Sequence, residues 1–166
     1  MKLFKINSNI TICLLAFSLS IQSCNQEPDY KTVRQEVLDQ HDKLMIDGEQ
    51  VMALQRKLDT LSKSGLKALK KAQPTLDTLS EQQQIKTLLT GLNSADDSMN
   101  NWMHSFNPDA EGKSNHDAVL YFKSEKVKVN RIDSLYQKAF TSTNLYLKRF
   151  KMDQDVSANS AHKHEM

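Results

Sequence analysis

Apolar residues recur at every seventh position along three separate stretches of this chain, and that period leaves few folds open. In the first stretch Tyr30, Val37, Leu44, Val51 and Leu58 are seven apart, with Val33, Leu54 and Leu61 at companion positions. The second has Ile85, Leu92, Met99 and Phe106 on one position and Leu88, Ala95 and Trp102 on the other. The third runs through Phe122, Val129, Tyr136, Thr143 and Phe150, partnered by Ala118, Ile132, Ala139 and Tyr146. Glu125 is the one acid on that last seam. An apolar stripe on a helix buries little until it meets another, so three stripes are most economically satisfied by packing on one another.

Punctuation sets the helix limits. Pro28 discourages helix before Asp29, so the first helix is expected over about 30–72. Gly65 inside it costs only about 1 kcal/mol, which leaves a bend or break near Ser64-Gly65 open, and Gln73-Pro74 ends the segment. Ser80 followed by Gln83 reads as a capping box for a second helix over about 80–106, stopped by Asn107-Pro108. Ser114 followed by Asp117 opens a third over about 115–152. Four glycines and three prolines in 166 residues are too few turn signals for a sandwich or barrel. The expected fold is therefore all-α, an antiparallel three-helix bundle with long coiled-coil-like helices over 30–152. It becomes a four-helix bundle if residues 63–73 separate from the first helix. Residues 153–166 carry no apolar stripe and read as a disordered tail.

Ahead of the bundle, Lys2 and Lys5 precede an apolar run from Ile10 to Ile21, and Ser23 stands before Cys24. A basic start, about a dozen apolar residues and a small residue at the end have the layout of a secretory signal peptide, too short for a membrane span. The Ser23-Cys24 junction resembles the lipobox of bacterial lipoproteins, in which the cysteine is lipidated and becomes the mature N-terminus. Ile21 stands where leucine is commoner. Removal of residues 1–23 would leave 24–29 as a polar tether. It would also take away Cys13, so that no disulfide could form within one mature chain. The chain has 22 Lys+Arg and 20 Asp+Glu, and without the two leader lysines the charges balance. A neutral chain without a basic block gives no electrostatic footprint for nucleic acid. The lysine clusters at 67–71 and 148–151 read as solvated helix faces.

Methionine and histidine are the side chains with metal chemistry to offer. His41 and Met45 lie four apart on the first helix, with Met52 a heptad beyond Met45. Met99, Met103 and His104 lie near the end of the second, and His116 opens the third. Thioether and imidazole donors suit Cu(I), and a His–Met pair across helices could hold haem iron. Methionine on a seam is equally an ordinary core filler. His162 and His164 lie in the polar tail. Trp102, the only tryptophan, is expected to anchor the core and to need an acceptor for its indole N–H; with Phe106 it is also a candidate ligand or partner contact. No Gly-x-Ser-x-Gly elbow, phosphate-cradling glycine loop or His-Glu-x-x-His occurs. Asp96 and Asp97 are adjacent on a helix and face apart. The expectation is no enzyme.

The run from Ala95 to Pro108 (ADDSMNNWMHSFNP), the His116-Asp117 helix start with Tyr121, and His41 to Met45 (HDKLM) resemble a group of small Bacteroidota lipoproteins often labelled viral A-type inclusion proteins. The resemblance covers most of the chain after Cys24. It implies a lipid-anchored envelope protein with a helical body and supplies no catalytic residue. Asn25 does not match the aspartate that some bacteria use for inner-membrane retention, so the outer membrane is the expected address, with either face compatible. The sequence thus points to a lipid-anchored, non-enzymatic helical interaction module. It either self-associates or binds an envelope partner, or else it holds a small ligand such as Cu(I) or haem.

Overall fold

A computed structural model describes residues 27–152 as four helical segments: α1 (Tyr30–Thr60), α2 (Leu66–Ala72), α3 (Thr78–Ser105) and α4 (Asn115–Lys148). The leader, Cys24 and the tail with His162 and His164 lie outside the described residues. A single π-helical turn over Leu61–Gly65 joins α1 to α2, so residues 30–72 form one continuous helical rod of about 65 Å. The possible break at Gly65 is resolved as this widened turn, and no separate fourth bundle helix forms. Its cause is visible in the side chains. Leu61 and Leu66 are both buried, although five residues at about 100° each would put them on different faces of an α-helix. One extra residue in the turn brings both to the core. Gly65 has no Cβ to meet the Leu61 Cδ1 atom that would stand 2.9 Å from it.

The three rods pack up-down-up. Lys126 pairs with Glu36 and Lys43 with Asp133, each at 2.8 Å, so α4 runs parallel to α1 in a constant register. The Tyr30 N–H reaches Asn115 Oδ1 at 3.0 Å at the same end. α3 runs antiparallel to both. The seams form one core: Val37, Leu44, Leu54 and Leu58 of α1, Leu92 and Ala95 of α3, and Phe122, Val129 and Tyr136 of α4 are sealed from solvent. Among the described residues the buried core runs from Val33 to Leu147.

Caps account for the helix starts. Asp29 accepts from the Lys31 N–H, and Ser114 accepts from the Asp117 N–H as its spacing predicts. The second rod differs: α3 begins at Thr78, and its cap is Asp77, whose Oδ1 accepts from the N–H groups of Leu79 and Ser80. An ionised carboxylate that satisfies two amides at the positive end of the helix outcompetes a serine hydroxyl three residues later. Glu81, on the first turn of α3, is buried. None of the described helices is long and apolar enough to cross a membrane.

Candidate functional site

Two buried acids stand on the apolar seams, and each is answered from a neighbouring helix. Glu125, 3% exposed, accepts from the Trp102 indole N–H at 2.8 Å and from Lys128 at 2.7 Å. This supplies the acceptor that the tryptophan needs. Trp102 is 4% exposed and stacks on Phe106 with ring centroids 4.7 Å apart. Its faces and its N–H are thus occupied by the protein. Trp102 therefore anchors the loop end of the bundle, while Phe106, the other suggested contact, is only partly buried. At the other end Glu81 accepts from the Tyr146 hydroxyl at 2.9 Å and from Arg149 at 2.7 Å. Burial, followed by the Glu81 carboxylate, raises the Tyr146 pKa well above the ordinary tyrosine value.

Midway along the bundle the α1 seam is interrupted by Asp47, at a position that Val33, Leu54 and Leu61 occupy elsewhere in the same repeat. Asp47 Oδ2 is buried without a hydrogen-bond partner. Burial raises its pKa above 3.8; Lys43 opposes that shift and Asp133 adds to it. Lys43 itself is held protonated above its usual range by the hydrogen bond to Asp133. Tyr136 donates to Asp96 Oδ1 at 3.2 Å. Its hydroxyl is pushed strongly upward by burial and then by the nearby Asp96 and Asp47 carboxylates. Gly48 lies beside this pair, where a Cβ would stand in ordinary contact, 3.7 Å from Asp96 Oδ1 and 3.9 Å from the Tyr136 hydroxyl.

Beside this polar layer, a groove of about 420 Å³ opens between α1 and α3. Its register is fixed by two contacts. The His41 ring lies 6.0 Å from Trp102, and Gln55 donates to Asn93 at 2.7 Å. Between those contacts α1 carries Met45 and Met52 and α3 carries Met99; Met103 lies one residue beyond Trp102. All four methionines line the groove, together with Glu49, Asp96, Asn100 and Tyr136. Met99 is 2% exposed, whereas Met45 and Met52 are 48% and 52% exposed on the lip.

The structure therefore brings together three of the five residues singled out as metal ligands, Met45, Met99 and Met103, and adds Met52. His41 and His104 do not line the groove. His41 leans on Trp102 and is bonded through Nδ1 to Asp42 at 2.9 Å. His104, one residue beyond Met103 and so about 100° around the helix, is exposed. His116 faces Glu27 at 2.7 Å near the start of α4. Among the described residues no group of three or more His, Cys, Asp or Glu side chains is placed to hold a metal ion; the convergent donors are thioethers. A second groove, of about 410 Å³, lies between α3 and α4 beside Leu88, Leu145 and Arg149, but its one cation is already paired with Glu81.

No protein-family model, curated protein or solved structure matches this chain.

Proposed function

We propose that this chain is a lipid-anchored, non-enzymatic protein of the bacterial cell envelope, held through Cys24 at the outer membrane, and that its helical bundle binds a ligand in the groove between α1 and α3. The observation that carries the binding reading is the convergence of Met45, Met52, Met99 and Met103 on one groove. Methionine is flexible and polarisable, and a surface lined with it adapts to what it binds. Half-exposed methionines on the lip leave apolar surface in water, and an occupant would bury it. The anchoring half rests on the leader pattern ending at Cys24; Glu27 and Pro28 are bonded to His116 and Asn115 at the start of α4, which fixes where the bundle begins.

Two measurements test this reading. Radiolabelled palmitate is expected in the wild-type chain and absent from Cys24→Ala; equal labelling of both would remove the anchor. For the groove, a soluble chain of residues 25–166 with ¹³C-labelled methionine methyls is titrated with bacterial envelope extract. The methyl signals of Met45, Met52, Met99 and Met103 are expected to move while that of Met152 stays. Movement of Met152 alone, or of none, would place the working surface elsewhere.

A second reading, self-association or docking on an envelope protein, is favoured by Leu120, Val127, Leu135 and Leu145, which stand exposed along α4. Sedimentation of the soluble chain checks it: a concentration-dependent dimer that Val127→Lys or Leu145→Lys abolishes would support it, and a monomer at all concentrations would refute self-association.

A further inference from the structure

We infer that the occupant of the α1–α3 groove is a soft monovalent cation, Cu(I) or its analogue Ag(I), held by thioethers; the inference rests on the groove being the binding surface. The donor set carries it. Met45 on α1 and Met99 and Met103 on α3 bring thioether side chains to the lining of one groove from two facing helices, with Met52 also in that lining. Met99 and Met103 are four apart on α3 and so share a face. Thioether sulfur is neutral and soft. It binds Cu(I) well, whereas Ca²⁺ and Mg²⁺ require oxygen.

The charge of the lining points the same way. Glu49 and Asp96 are its only ionisable groups besides the Tyr136 hydroxyl, and no lysine, arginine or histidine lines it. Among the described residues Glu49 makes no ion pair. Asp47 adds a further negative charge close to Tyr136. A groove negative at its edge and sulfur-lined within attracts a cation and repels an anion or an acidic peptide. Haem fits less well, because its usual histidine ligand is missing from the lining. The thioethers carry no proton to release, so the ion enters without a redox or acid–base step.

The test uses residues 25–166, which retain the whole core, under reducing, oxygen-free conditions. Ag(I) is followed by methionine methyl NMR, and Cu(I) by competition with a colorimetric Cu(I) chelator. One ion per chain is expected, with shifts at Met45, Met99 and Met103 and none at Met152. Met99→Leu/Met103→Leu conserves volume and keeps the fold, which an unchanged circular dichroism spectrum confirms; it is expected to weaken binding by about tenfold or more. His41→Ala and a chain ending at residue 152 are expected to bind as wild type does. Absence of saturable binding, equal binding by the double leucine variant, or loss of binding with the tail would each overturn the cation. If envelope extract treated with the chelator still moves the groove methyls, the groove keeps its binding role with a different ligand. If no extract moves them, the groove reading falls as well.

Discussion

Replacing Asp47 by asparagine should make the bundle more stable and its groove a poorer cation site. One carboxylate oxygen of Asp47 is buried without a partner, and burying an uncompensated charge costs more than burying a neutral amide in the same place. The side chain is only half-buried, so Asp47→Asn, which keeps a polar atom there and removes the charge, should gain at most about 1 kcal/mol at neutral pH. For a bundle of this size that corresponds to about 3–5 °C in Tm. The pH dependence gives the sign independently. Burial holds the folded-state pKa above 3.8, so the unfolded chain ionises first as pH rises, and Asp47 destabilises the fold once it is charged in both states. The advantage of Asp47→Asn should therefore be full at pH 7, shrink as pH falls through the raised pKa, and lose its ionisation component below 3.8. The variant also removes one negative charge near the groove. In a solvated setting one such charge is worth roughly 0.5 kcal/mol, or about twofold in Ag(I) affinity. Urea unfolding at several pH values, paired with the Ag(I) titration, reads both effects. A destabilised variant, or a stability difference that stays constant down to acid pH, would refute the assignment of Asp47 as a tolerated liability beside the groove.

Four further outcomes follow from the packing and the backbone. Glu125→Leu strands the Trp102 N–H and should cost about 2–3 kcal/mol, whereas Glu125→Gln keeps an acceptor and should cost about 1 kcal/mol or less; urea unfolding followed by the single tryptophan's fluorescence separates them. A Cβ at Gly91 would meet nothing within 4 Å, so Gly91→Ala should stabilise by about 1 kcal/mol through helix propensity. Gly112→Ala forces a side chain onto φ +75° and should cost about 1–2 kcal/mol; thermal melts check both. Arg149→Ala leaves Glu81 with the Tyr146 hydroxyl as its remaining side-chain donor and, with the guanidinium half-exposed, should cost about 1 kcal/mol; the cost should shrink but not vanish in the background of Glu81→Leu, because Arg149 also donates to Gln84 and lies over the Tyr146 and Phe150 rings.

Much of this architecture is legible in the residues. The heptad seams name nearly every buried position, because a buried stripe on a helix has to repeat. What is not legible depends on contacts between helices. Glu125 reads as an exception on its seam until Trp102 is seen across from it, and Glu81 reads as a capping-box residue until Tyr146 and Arg149 arrive from α4. The start of α3 falls on Asp77 because a charged cap outbids Ser80, a contest that spacing alone leaves even. The site is half legible in the same sense. The i, i+4 pair Met99–Met103 declares a shared face, and Met45 is recognisable as its counterpart. That neither nearby histidine joins them is fixed by the register of α1 against α3 and by the packing of His41 on Trp102.

X-ray absorption at the copper edge, on the soluble chain loaded with one equivalent of Cu(I), tests the thioether groove most directly. A first shell dominated by sulfur is expected, with at most one light donor, and it should be lost in Met99→Leu/Met103→Leu. A shell of nitrogen and oxygen alone, unchanged in that variant, would show that the ion sits outside the groove.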